Sequence, residues 1–217
     1  ALGSVRSGDR LGAIVPLLNG IDHVERLRLR FGHDRVVPAT IAVESERIAP
    51  GKIVHRSPFA RLSVSSSGEK RLAQTIEKLR QFGFVCQFVE NEATLLWGKL
   101  VFLAPIALTT TAAGTALGEI VSQPEWRTRL ERCVSEACSV AAASGARVDA
   151  AQVMKTIGGL PPGMRSSMQK DVAAGRTPEL DAIAGPILRG AQERSIDVRV
   201  TRELSEIIRG KTAAASP

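Results

Sequence analysis

The sequence predicts an α/β segment followed by an all-α segment, with the change near residue 92. In residues 1–91, apolar runs of strand length alternate with runs of helical period. From Glu92 onward every strong signal is helical. A chain of 217 residues with 44% hydrophobic content can bury a sizeable core, and its length permits one or two domains. The change of pattern favours two, one over residues 1–91 and one over residues 92–217.

The first segment combines predicted strands with two helices. The helices begin near Asp22 and Ser66, each with a glutamate three residues later as in a capping box, and Gly83 ends the second. Asn19 and Gly20 form a turn dipeptide that ends the first strand. The strands are predicted at Ala13–Leu18, Val36–Glu44, Lys52–Arg56, Arg61–Ser65 and Phe84–Val89.

Six helices are predicted in the second segment. Pro105 removes a backbone hydrogen bond and should kink or end the first of them. Ser122 should open the second helix, and Thr177 should cap the fifth, with Pro178 as its first residue. The predicted ranges are 93–108, 122–144, 149–157, 166–174, 178–194 and 201–209, followed by a frayed tail at 211–217.

The net charge of +7 raises the possibility of nucleic-acid binding. The basic residues are scattered, however, and the largest cluster is Arg26, Arg28 and Arg30. The chain has no tyrosine, and its few aromatic residues do not alternate with these arginines. The pattern favours a solvated basic surface, with a basic rim around an anion site as the functional alternative, and we expect no nucleic-acid partner.

Targeting and metal-binding signals are also missing from this sequence. No apolar run approaches the ~20 residues of a membrane helix, and no signal-peptide pattern is present. Cys86, Cys133 and Cys138 do not have metal-ligand spacing with a histidine. We therefore expect reduced cysteines, a cytoplasmic location, no membrane partner and no metal.

Lys99 is the strongest candidate for chemistry in the first long helix. The helical period places Leu95, Leu96, Leu103 and Ala107 on or near its face. Desolvation by such neighbours lowers the pKa of a lysine, which suits a proton donor near neutral pH. The alternative is a lysine at the edge of the helix that extends its ammonium into water.

A second group of candidates lies where two predicted helices begin. Ser166 and Ser167 open one helix, and Glu179 falls in the first turn of the next. Helix N-termini offer free backbone N–H groups, so this part of the chain could hold a small anionic ligand. Serine and glutamate at these positions are also ordinary helix-capping residues.

Several of these segments together resemble the 2-dehydropantoate 2-reductase (ketopantoate reductase) family. They are Pro16–Asp22 with its Asn-Gly pair, Glu92–Leu100 with Trp97-Gly98-Lys99-Leu100, and Ser166–Asp171 followed by Glu179-Leu180-Asp181. The resemblance implies the end of a Rossmann-like NADPH-binding domain, then a helical substrate and dimerisation domain. It also implies reduction of a small 2-oxo acid or related carbonyl compound. Lys99 and Glu179 would be catalytic, Lys99 as the proton donor. Asn19 would bind the cofactor beside the nicotinamide, and Asn19 and Ser167 would bind the substrate.

The chain departs from the family pattern in two respects. Leu103, Ala107 and Met164 stand where family members commonly have substrate-binding asparagines, so we expect poor use of ketopantoate. The G-x-G-x-x-G motif that binds the dinucleotide is also absent, so the 217 residues correspond to the later two-thirds of such a reductase. By themselves they could be inactive. The alternative is a truncated, non-enzymatic helical-domain protein for ligand binding or oligomerisation. A homodimer is the expected assembly of the reductase.

Overall fold

The computed structural model describes residues 12–55, 57 and 59–214, without the side chains of Glu46, Arg47 and Ala214. Arg56, the predicted end of one strand, is therefore outside the described residues. Backbone contacts divide the chain into two units. One contains the residues up to Leu18 and Asp22–Leu96, and the other contains Asn19–Ile21 and the residues from Trp97 onward. The predicted fold class, α/β followed by all-α, is confirmed.

Three strands form the sheet of the first unit, in the order β1 (Ala39–Ala42), β4 (Arg61–Ser65) and β5 (Val85–Val89). β4 pairs antiparallel with β1 and parallel with β5. β2 (Ser45–Ala49) and β3 (Lys52–His55) form a separate antiparallel hairpin. Helices α1 (His23–Phe31) and α2 (Glu69–Gln81) complete the unit. The core between α2 and the sheet is made by Val37, Ala39, Leu62, Val64, Leu72 and Ile76.

The first strands are shorter than the sequence predicts. Only β1 forms within the strand predicted at Val36–Glu44. The next strand, β2, was not predicted from the sequence. Pro38 has no N–H group to donate to a ladder, which is consistent with β1 beginning only after it. The strand predicted at Ala13–Leu18 contributes a single parallel bridge, between Ile14 and Val36.

A partly buried ion pair joins α1 to the beginning of the next helix, α3 (Glu92–Ala113). The two terminal guanidinium nitrogens of Arg28, Nη1 and Nη2, donate to the Glu92 carboxylate, at 2.7 and 2.8 Å. The hydrogen bond to Glu92 raises the pKa of Arg28 against the opposing effect of burial. Arg28, predicted to be part of a solvated basic surface, therefore has a structural role.

Helices form the second unit, with α3 entering it at Trp97. After α3 come α4 (Leu117–Ser122), α5 (Pro124–Ala143), α6 (Ala150–Gly158), α7 (Ser167–Ala173), α8 (Leu180–Arg194) and α9 (Arg199–Ala214). Their core is mainly aliphatic, and its largest fully buried side chains are Leu100, Leu108, Leu117, Ile120, Leu130, Ile157, Met168, Ile183, Ile187, Leu204 and Ile208.

Pro105 does not end α3, which continues to Ala113. The hydroxyls of Thr109 and Thr110 donate to the carbonyl oxygens of Pro105 and Ile106, both at 2.7 Å. By length and composition α3 could cross a membrane, but 67% of its apolar window is buried inside the protein. Such burial is typical of a core helix, and it explains why packing overrides the helix-breaking effect of the proline.

Other helix ends also differ from the predicted ones. Ser122 ends α4, and Gln123 with Pro124 begins α5. The N-cap of α8 is Glu179 and not Thr177, so Glu179 lies just before the helix rather than in its first turn. The predicted frayed tail is helical to Ala214, and the residues after it are outside the described range.

Candidate active site

Lys99 lies in the second turn of α3, half-buried among apolar side chains. Leu95, Leu96 and Ala107 are buried, and Leu103 is half-buried, as the helical period predicts. Burial lowers the pKa of Lys99, and the negative charge of Glu179 partly opposes this by raising it. The lysine is therefore a better proton donor than a solvated one, and its charge is supported by a carboxylate.

Asn19 links the two charged groups. The Nζ of Lys99 donates to the Oδ1 of Asn19 at 3.1 Å, and the Nδ2 of Asn19 donates to the Oε2 of Glu179 at 3.0 Å. The amide thus presents its acceptor to the ammonium and its donor to the carboxylate, as the chemistry of each group requires. These residues are 80 and 160 positions apart in the chain, yet they form one continuous network.

The backbone at Gly20 explains how Asn19 reaches this position. Gly20 has φ +77°, and a Cβ there would collide with the carbonyl oxygen of Ala182 in the first turn of α8. Glu179, the N-cap of that helix, makes no side-chain capping bond, so its carboxylate is available to Asn19. The glycine thus permits the close approach that brings the amide to the beginning of α8.

The two adjacent serines have different environments. Ser166 is buried and caps α7, accepting a hydrogen bond from the backbone N–H of Gln169 at 3.1 Å. Ser167 is exposed, and within the described part of the chain its hydroxyl has no hydrogen-bond partner. The structure therefore does not join Ser167 to the network of Lys99, Asn19 and Glu179, and its role in substrate binding stays a prediction.

The helical part of the chain matches a family model described as the ketopantoate reductase PanE/ApbA C-terminal domain. The match covers residues 92–212, more than half of the chain, and the companion ketopantoate reductase model matches residues 7–67. The chain belongs to the ketopantoate reductase family.

Curated relatives and solved structures agree with this assignment. The chain is 32% identical over 180 residues to a 2-dehydropantoate 2-reductase of Caulobacter vibrioides, covering 80% of this chain and 59% of that protein. It is 27% identical over 192 residues to the oxidoreductase YkpB of Bacillus subtilis, and the match covers 84% of this chain and 62% of YkpB. The chain thus spans about three-fifths of the length of these relatives.

Two solved structures share the fold. A D-mandelate dehydrogenase in complex with NADH and anilino(oxo)acetate has a TM-score of 0.84 at 18% identity, covering 94% of this chain and 68% of its own. A dimeric ketopantoate reductase from Staphylococcus aureus has a TM-score of 0.79 at 20% identity, and the match covers 94% of this chain and 69% of the reductase chain. At these identities the likeness concerns the fold.

The side chains that depart from the ketopantoate reductase pattern differ in exposure. Leu103 lies one turn after Lys99 on α3 and is half-buried, as is Met164 before α7. Ala107 is only 1% exposed, so Leu103 and Met164 are the more accessible of the three to a substrate. Among the described residues, no group of three His, Cys, Asp or Glu side chains could hold a metal ion.

We predict that Lys99 has a pKa below that of an ordinary lysine and that Glu179→Gln lowers it further. The carboxylate raises the pKa of Lys99, so its removal leaves the effect of burial unopposed. NMR titration of the Lys99 ammonium would measure both effects. Glu193→Gln, near the other end of α8, is the control and should leave the pKa of Lys99 unchanged. A rise in Glu179→Gln would contradict the interpretation.

Proposed function

We propose that the full-length protein uses NADPH to reduce the carbonyl group of a 2-oxo acid or related compound, with Lys99 as the proton donor. The observation that supports this most directly is the network of Lys99, Asn19 and Glu179. A half-buried ammonium held by an amide and supported by a carboxylate is suited to donate a proton and then recover it.

Asn19 fits a role beside the nicotinamide. Its Oδ1 and Nδ2 each make one hydrogen bond within the described residues, which leaves a second lone pair and a second N–H for a bound carboxamide or carbonyl. The sequence contains no G-x-G-x-x-G motif, so no residue in it is assigned to the pyrophosphate. When bound, the reduced nicotinamide supplies the hydride that adds to the carbonyl carbon.

The residues of this chain supply the proton and control its transfer. As the carbonyl oxygen gains negative charge, Lys99 transfers a proton from Nζ to it and becomes neutral. Glu179 favours the charged form of Lys99 before the reaction, while burial favours the neutral form after it. Asn19 fixes the orientation of the Lys99 ammonium by accepting a hydrogen bond from it. Ser167 would bind the polar groups of the substrate.

We propose that the substrate is bulkier or less polar than ketopantoate. Leu103 places an aliphatic side chain on the same face as Lys99, where an asparagine could hydrogen-bond a hydroxylated substrate. The D-mandelate dehydrogenase of the same fold binds anilino(oxo)acetate, an aromatic oxo acid. Aromatic and branched 2-oxo acids are therefore the first substrates to test.

The test is a steady-state survey of the full-length protein with ketopantoate and a panel of larger 2-oxo acids, each with NADPH and with NADH. We expect a higher kcat/KM for a bulkier acid than for ketopantoate. Leu103→Asn should raise kcat/KM for ketopantoate about two- to tenfold by restoring one hydrogen bond. The matched control is Leu103→Met, which keeps an apolar side chain and should give no such gain. Ketopantoate as the best substrate of the wild type would contradict the proposed specificity.

We also propose that the full-length protein is a cytoplasmic homodimer. A solved ketopantoate reductase of the same fold is dimeric, which supports the dimer. Analytical ultracentrifugation would test the oligomeric state. If no carbonyl compound is reduced with either cofactor, the non-enzymatic role in ligand binding or oligomerisation becomes the better account.

A further inference from the structure

A chain of buried hydroxyl groups connects α3 to the beginning of α7. The oxygens of Thr110 and Ser166 lie 2.9 Å apart, and both residues are buried. Because the Thr110 hydroxyl donates to the Ile106 carbonyl at 2.7 Å, its single proton is used within α3. The arrangement that satisfies all three groups then has the Ser166 hydroxyl donating to the Thr110 oxygen.

In this arrangement the hydrogen bonds all run in the same direction. The backbone N–H of Gln169 donates to Ser166, Ser166 donates to Thr110, and Thr110 donates to Ile106. Each hydroxyl donates once and accepts once, and such aligned bonds strengthen one another in a buried environment. The first turn of α7 is thus hydrogen-bonded to α3 through two side chains.

Thr110 lies on the same face of α3 as Lys99. The two residues are separated by 11 positions. At 3.6 residues per turn, their side chains differ by only about 20° in angle around the helix axis. The helix that carries the proposed proton donor therefore also carries the group that fixes the start of α7. Ser167, the proposed substrate-binding residue, is the first residue of α7 and follows Ser166 directly.

Further hydrogen bonds hold the same segment on both sides of Ser167. The side-chain amide of Gln169 donates to the carbonyl oxygen of Thr115 at 3.1 Å. Before Ser167, the carbonyl oxygens of Met164 and Pro162 accept from the N–H groups of Leu117 and Gly118 at 2.9 and 2.8 Å. The segment around Ser167 is therefore fixed to the end of α3 and the start of α4, while the Ser167 hydroxyl itself remains exposed.

We infer that the hydroxyls of Thr110 and Ser166 hold Ser167 in place for substrate binding and so act as positioning residues. This inference rests on the proposed function, in which Ser167 binds the carbonyl substrate. Neither hydroxyl needs to touch the substrate, because both act through the backbone of Ser167. Their loss should raise KM, with a smaller effect on kcat.

The adjacent threonine provides a matched control. Thr111 is also buried on α3, but its hydroxyl oxygen has no hydrogen-bond partner among the described residues. In the full-length protein, Thr110→Val should raise KM for the best carbonyl substrate about five- to tenfold, the scale of one lost hydrogen bond, with kcat within about twofold. Thr111→Val should leave both constants unchanged, and Thr110→Ser should restore the wild-type KM.

Two further measurements distinguish positioning from a general loss of packing. Because Thr110 acts through Ser167, Thr110→Val should add little to the KM increase already caused by Ser167→Ala. The amide of Gln169 should also exchange with solvent at least about fivefold faster in Thr110→Val than in Thr111→Val.

An unchanged KM and exchange rate in Thr110→Val, or equal changes in Thr111→Val, would overturn the inference. Fully additive effects of Thr110→Val and Ser167→Ala would overturn it too. If the wild type reduces no carbonyl compound, the proposed function fails, and with it the role in substrate binding. Faster exchange at Gln169 would then support only the structural part of the inference.

Discussion

Replacing Lys99 with alanine should lower kcat of the full-length protein at least ~10²-fold, the usual scale for removal of a general acid. The network of Lys99, Asn19 and Glu179 contains no second ammonium group that could take over its role, and the Asn19 amide does not titrate. Lys99→Arg should not restore the rate, since a guanidinium group hardly releases its proton near neutral pH. Steady-state kinetics with the best substrate of the panel would measure both variants.

The pH dependence of the reaction gives an independent check on the same residue. In the proposed mechanism reduction requires a protonated Lys99, so kcat/KM should fall as the pH rises through the pKa of Lys99. Because burial lowers that pKa, the fall should occur below the pH at which an exposed lysine titrates. Lys155→Ala, on the exposed side of α6, is a suitable control and should keep the wild-type rate. Near-normal turnover in Lys99→Ala would show that Lys99 is only a lysine at the edge of its helix.

Much of the helical unit could be predicted from the sequence because its periodic apolar pattern is strong. The same period placed Lys99 on an apolar face, and the structure confirms that environment. The beginning of α8 was not predicted correctly. Thr177 and Pro178 have the residue types of a helix start, but the helix begins only after Glu179, whose carboxylate interacts with Asn19. Local preference could not reveal a partner 160 residues away.

The distinction between Ser166 and Ser167 also depends on tertiary structure. As neighbours of the same type they have equal capping preference, but in the structure Ser166 is the buried one, and its hydroxyl is hydrogen-bonded to that of Thr110. The end of α9 is a similar case. Lys211 was predicted to lie in a frayed tail, but its ammonium donates to the Ala112 carbonyl at the end of α3 at 2.7 Å. Such contacts between distant helices are not encoded in short sequence patterns.

Gly20, at the candidate site, also makes a tertiary contact that its local sequence does not reveal, and its substitution should have a large effect on stability. Asn-Gly predicts a turn, and the positive φ of Gly20 agrees with it, but the close approach to Ala182 is visible only in the structure. Gly145 lies in the same unit and has φ +84°, and a Cβ at that residue would have no atom within 4 Å. Alanine at either glycine would meet similar backbone strain, and only at Gly20 would it also collide with a neighbouring backbone.

We therefore expect Gly20→Ala to reduce the free energy of unfolding by about 2–5 kcal/mol, and Gly145→Ala by only about 1–2 kcal/mol. The difference corresponds to the forced separation of residues 19–21 from α8. It should also displace Asn19, so Gly20→Ala should lose activity at temperatures where it is still folded, whereas Gly145→Ala should not. Urea unfolding and steady-state kinetics would measure the two effects. Equal losses of stability in both variants, with full activity retained in Gly20→Ala, would show that the contact between Gly20 and Ala182 does not position the amide.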